Sequence, residues 1–109
     1  MEWKILEFGT LGGERPVAEF IKSQPAQVIA KIVHLIDLLE IHGNLLSMPH
    51  AKKLQINLYE LRIRGQQEIR IVYGFVGKTI YLVSAFKKQK QKTPKKEIET
   101  AKTRLANLT

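Results

Sequence analysis

The 109-residue chain has no cysteine, which excludes disulfides and thiolate metal sites. No apolar run approaches the ~18 residues of a membrane span. The opening MEWKILEFG has too short an apolar part for a signal peptide and carries Glu2 and Glu7. A cytoplasmic protein with no membrane partner is therefore expected. There is no P-loop, dinucleotide fingerprint or GxSxG. The three histidines lack metal-ligand spacing and no carboxylate pair stands out, so neither a metal nor a cofactor is expected. Negative charge is also scarce. Ten Asp and Glu face 18 Lys and Arg, for a net charge of +8, and no acidic residue occurs from Ile69 to Lys96. Such a balance suits a polyanionic partner.

What is present has the composition of a globular protein, 44% hydrophobic and 26% charged. The length suits one domain spanning residues 1–109. EWKILEF reads as a short first strand, and the glycines of GTLGGE end it. RPVAEFIKS places Val17, Phe20 and Ile21 at helical spacing, with Pro16 in the first turn. In AQVIAKIVHLIDLLEIHGN, Ile29, Ile32, Val33, Ile36 and Leu39 form a second helical stripe, with Gly43 as its C-terminal cap. The period then changes. INLYELRIRG sends Tyr59, Leu61 and Ile63 one way and Glu60, Arg62 and Arg64 the other. QEIRIVYGF alternates again, and KTIYLVSAF is apolar on both sides, as a strand covered on both faces would be. Gly65 and the Gly77-Lys78 pair mark turns short enough for antiparallel hairpins. Thr93 and Pro94 open a last helix as N-cap and first residue, with Ile98, Ala101, Leu105 and Leu108 as its stripe. The expected fold is α+β. It has a short N-terminal strand, two helices, an antiparallel meander of three or four strands, and a C-terminal helix.

The basic residues concentrate around that meander. Arg62 and Arg64 share a strand face, and Arg70 lies on the next strand, opposite its apolar neighbours. Lys87 and Lys88 leave the end of the strand after that, Lys90 and Lys92 extend the same edge, and Lys52 and Lys53 precede the arginine strand. Six lysines fall between positions 87 and 96. A solvated basic face is one reading. A groove for a phosphate backbone is the sharper one, because a strand-borne guanidinium grips phosphate in a fixed geometry while loop lysines add charge. His50, in a loop before Lys52, is a candidate acid or base.

The pieces YELR, RIVY and FKKQKQKTPKKEIETA, together with GERPVAEFIKS, resemble the RelE/HigB superfamily of type II toxin–antitoxin toxins. The likeness is to the phage-derived Gp49-like HigB branch and covers nearly the whole chain. It implies a compact RelE-like α+β domain that cleaves mRNA on the ribosome. There the RNA's own 2′-hydroxyl attacks the adjacent phosphate without a metal. It also implies a helix-turn-helix, HigA-like antitoxin as partner. Matched by position, Arg62 is the basic residue of YELR, Arg70 is the phosphate-contacting arginine of RIVY, and Lys88 with Lys87 supplies the basic residue after the last strand. Lys52, Lys53, Arg64, Lys90 and Lys92 are then RNA-binding. The tyrosine that some relatives carry in the last helix is absent from KTPKKEIETA, as are the C-terminal Asp or His of others, so the general base is not named. A ParE-like gyrase inhibitor shares the superfamily fold, and a non-catalytic basic module binding RNA or antitoxin is the other alternative.

Overall fold

The computed structural model describes residues 2–108. Alternating β-branched and aromatic residues build β3 (Leu58–Ile63), β4 (Glu68–Val76) and β5 (Thr79–Lys88). These three form the expected meander. Lys52 and Lys53 belong to an additional edge strand, β2 (Ala51–Gln55), and the first strand, β1 (Lys4–Glu7), lies at the opposite edge. The sheet order is β1-β5-β4-β3-β2. Every pairing is antiparallel except β1 with β5, which is parallel. The exception follows from the crossover: the chain passes through two helices before the meander begins, so β5 arrives beside β1 in the same direction.

Those helices, α1 (Pro16–Lys22) and α2 (Ala26–His42), pack on one face of the sheet. Ile32, Leu35 and Leu39 of α2 meet Leu61, Ile63, Ile69, Ile71, Tyr73, Ile80 and Leu82 there. Val33, expected in this stripe, is instead 48% exposed, and Leu35 is buried in its stead. Gly43 closes α2 at φ 52°, with the Trp3 indole packed where a Cβ would stand. The cap therefore requires glycine on both counts.

The other face is roofed by α3 (Lys95–Ala106), whose Ala101 and Leu105 join Leu58, Val72, Val83 and Phe86. Leu105 sits against Gly74 of β4, where any side chain would collide with it. Thr93 does not cap this helix. Pro94 takes the N-cap position without a side-chain bond, and the Thr93 hydroxyl donates to Glu60 Oε1 at 2.6 Å.

One irregularity positions the site. Val72 pairs with Ser84, but Tyr73 pairs with Leu82, so Val83 is an extra residue in β5. Such a bulge reverses the alternation beyond it. Before it, Ile80 and Leu82 face α1 and α2. After it, Ala85 faces them, and Ser84 and Phe86 turn toward α3. The bulge is held from α3: Arg104 Nη1 donates to the Val83 carbonyl at 2.8 Å, and Ser84 Oγ donates to Glu97 Oε1 at 3.1 Å.

Candidate nucleic-acid interface

On the α3 face, cross-strand register places Lys52 opposite Glu60, Arg62 opposite Arg70, and Glu68 opposite Lys88. Four cations from four strands, Lys52, Arg62, Arg70 and Lys88, thus share one end of one sheet face. Their proximity registers in Lys88. Burial pushes its ammonium below the usual lysine range, and the charges of Arg70, Arg62 and Lys52 push it further, against a smaller opposing pull from Glu60.

Arg70 departs from expectation. Its side chain does leave the α1–α2 core face, but it enters a second buried face and is only 2% exposed. Nη2 donates to Glu68 Oε1 at 3.0 Å and Nη1 to the Ile69 carbonyl at 3.1 Å. Nε lies 3.7 Å from Oε2 of Glu60, which is equally buried. Partial burial raises the Glu68 carboxyl, but the hydrogen bond and charge of Arg70, the charge of Arg64 and a backbone bond from Gly65 outweigh it, leaving Glu68 below the usual carboxylate range. Arg62 is half-buried, and its Nη1 donates to Met48 Sδ at 3.1 Å. Among the described residues, the buried side-chain donors without a hydrogen bond are the Nε atoms of these two facing arginines. Arg70 Nε nonetheless faces the Glu60 carboxylate, so the donor left over is the Nε of Arg62, the arginine of the pair that no carboxylate neutralises among the described residues.

The remaining basic residues lie elsewhere. Lys87 is opposite Ile69, on the α1–α2 face, so the structure separates it from Lys88. It joins Lys90, Lys92 and Lys95 around a cleft of about 520 Å³ beyond the end of β5. Lys53, opposite Tyr59, is exposed on the β2 edge. Arg64 follows the last residue of β3. With Arg62, Lys31, His34 and His50 it lines a cavity of about 470 Å³ between α2 and the β3 edge. The His50 backbone carbonyl accepts from the Arg62 N–H at 2.8 Å.

Glu60 and Glu68 had no place in the sequence-based site. Alternation put Glu60 on the face of Arg62, a usable signal, but nothing local showed that it would be buried beside Arg70. Among the described residues no cluster of three or more His, Asp or Glu side chains could hold a metal ion, and no helix is long and apolar enough to cross a membrane.

No curated protein matches the chain. Residues 19–106, which span both helical layers and all of the meander, match the family of phage-derived Gp49-like proteins (DUF891). The chain therefore belongs to this RelE/HigB-like toxin family, and with membership come the role of toxin in a toxin–antitoxin pair and an antitoxin as partner.

Proposed function

We propose that the protein is a ribosome-dependent endoribonuclease that stops translation by cutting mRNA in the cytoplasm. Its neutralising partner would be a helix-turn-helix, HigA-like antitoxin. The observation that carries this reading is the gathering of Arg62, Arg70 and Lys88 at one end of one sheet face, with Arg62 facing no carboxylate among the described residues. Arg62 and Lys88, both half-buried, meet the scissile phosphate, and Lys52 extends the cationic surface. Arg70 acts from behind them: its charge adds to the lowering of the Lys88 pKa and supports the developing phosphorane.

The step balances without a resident metal. Neutral Lys88 takes the proton of the RNA 2′-hydroxyl, and the 2′-oxygen forms a bond to phosphorus. The bond from phosphorus to the 5′-oxygen breaks, leaving a 2′,3′-cyclic phosphate, and the 5′-oxygen takes up a proton from solvent, to which the Lys88 ammonium returns the one it gained. Cations fixed on strands stabilise the extra negative charge of the transition state. The site holds few groups beyond these, so the ribosome supplies the RNA geometry. Lys87, Lys90, Lys92 and Lys53 add phosphate affinity without touching the reacting atoms.

A translation extract with one defined mRNA tests the reading. The expected result is cleavage within the translated region on ribosomes, much slower cleavage of the same RNA when free, and growth arrest on expression without antitoxin. Arrest with intact mRNA and blocked DNA supercoiling would identify a gyrase poison. Binding without cleavage would identify a non-catalytic module.

A further inference from the structure

The sequence marks Thr93 as a helix cap, and the structure uses it otherwise. Its hydroxyl reaches Glu60, 33 residues away in the chain, at 2.6 Å. Glu60 is a buried carboxylate in the middle of β3. Its two oxygens face different ways: Oε1 accepts from Thr93, and Oε2 faces Arg70 Nε at 3.7 Å. One carboxylate thus ties the end of the lysine loop, residues 89–93, to Arg70. The loop's other end is fixed by Lys88, which pairs with Glu68 in the β4–β5 ladder, and Glu68 is itself bonded to Arg70. Both ends of the loop therefore return to the same guanidinium. The exposed lysines between them, Lys90 and Lys92, make no hydrogen bond or ion pair with the described residues that would anchor them separately.

We propose that Glu60 and Thr93 are positioning residues for the Arg62, Arg70 and Lys88 cluster on the α3 face. Glu60 holds Arg70 in place with one oxygen and holds the lysine loop against it with the other. The spacing between the loop and the arginine pair is then set by a single side chain. The reason for placing a carboxylate here is geometric. A short O–H···O⁻ bond is directional and strong, and burial beside Arg70 keeps water from competing for it. A loop anchored only at Lys88 would swing. Tethered at Thr93, it keeps Lys88, from which it starts, and the Glu60–Arg70 pair in one arrangement beside Arg62, while Lys90 and Lys92 contribute affinity alone. This role rests on the endoribonuclease reading for its consequence in catalysis, but the tether itself is a property of the free protein.

The experiment uses the full chain carrying Thr93→Val, Thr93→Ser or Glu60→Gln. Thr93→Val keeps shape and removes the hydroxyl. Thr93→Ser keeps the hydroxyl. Glu60→Gln keeps an acceptor for Thr93 but removes the charge facing Arg70. Amide hydrogen exchange of residues 89–93, and the guanidinium resonances of Arg70, are read without RNA. Single-turnover cleavage on saturating ribosomes is read separately. In Thr93→Val the loop amides exchange at least several-fold faster and the cleavage step falls roughly 10-fold, while ribosome affinity changes little, as expected for lost orientation. Thr93→Ser restores both readouts. In Glu60→Gln the Arg70 resonances shift while the loop stays protected. Unchanged loop exchange in folded Thr93→Val overturns the tether, and loosened exchange with an unchanged cleavage step overturns its catalytic role. If the wild-type protein cleaves no mRNA, the endoribonuclease reading falls, and loop exchange alone then decides whether the tether holds.

Discussion

Arg62 and Arg70 stand directly opposite each other across β3 and β4. Like charges in that arrangement are ordinarily unfavourable. Here Glu60 and Glu68 compensate only one of them, because both contact Arg70 while Arg62 has a methionine sulfur as its side-chain partner. The two arginines therefore differ in kind: Arg70 is built into the fold, and Arg62 is free to meet a ligand.

Substitution should separate them. Arg70→Ala leaves the buried Glu60 carboxylate without its cation, and breaking a buried pair costs about 3–5 kcal/mol. Urea unfolding should show that loss. Arg62→Ala should change stability by less than ~1 kcal/mol and slow the cleavage step by roughly 10²- to 10³-fold. Cleavage at the wild-type rate by folded Arg62→Ala protein would remove Arg62 from the scissile phosphate.

Lys88 predicts a pH signature. The cleavage step should rise with pH through an apparent pKa below the ordinary 10.5 of lysine. Lys88→Arg keeps the charge but cannot titrate in this range, so its profile should be slow and lose that rise. Stability has its own sign. Between the lowered folded pKa and 10.5 the unfolded chain binds more protons, so stability rises with pH across that window. Lys88→Met should abolish that increment. An unaltered pH–rate profile in Lys88→Arg would show that Lys88 takes no proton.

Glu68 acts in the opposite direction. Its folded pKa lies below 4.5, so its stabilising contribution is present above that value and disappears as pH falls through the folded pKa. Urea midpoints measured from pH 7 down to pH 3 should fall less steeply in Glu68→Gln than in wild type. Parallel curves would place the acid sensitivity elsewhere. The size of the effect should be modest, because the Glu68 side chain is 34% exposed.

The roof is testable at Gly74. A side chain there would meet Leu105 and, at 2.6 Å, the Asn57 carbonyl. Gly74→Val should therefore lift α3 and destabilise the protein by about 1–3 kcal/mol. Amide exchange should rise first in residues 95–106, and the Ser84–Glu97 contact that secures the bulge should loosen with it. Unchanged protection of α3 would contradict this packing.

Neutralising Lys90 and Lys92 to Gln should weaken ribosome binding and flatten its salt dependence, since fewer counterions are released. The cleavage step at saturation should stay near wild type. A reduced cleavage step with unchanged salt dependence would place these lysines at the reacting phosphate.

Much of the fold was legible because period-two and period-3.6 patterns state plainly which positions meet a core. Tyr59, Leu61 and Ile63 lie where alternation put them, and Ala101 and Leu105 where the last stripe put them. The site was legible only in part. Alternation says that Arg70 leaves one core face, but it cannot say that α3 and Glu60 bury the other. Thr93 before proline has the local chemistry of a cap, and only the distant carboxylate of Glu60 draws its hydroxyl away. The parallel pairing of β1 was hidden for the same reason, since it depends on where β5 ends up after the meander is complete.

The extra residue at Val83 also changes how the doublet Lys87-Lys88 should be understood. A strand that gained or lost one residue upstream of the doublet would exchange the two lysines between faces without altering either. Because both positions carry the same charge, either phase delivers one ammonium beside Arg70 and the other to the cleft beyond β5. Adjacent identical residues thus make the cationic arrangement tolerant of a one-residue slip. Arg62 and Arg70, flanked on each side by apolar neighbours, have no such redundancy. Insertions and deletions in β5 should accordingly be survivable where the same changes in β3 or β4 are not.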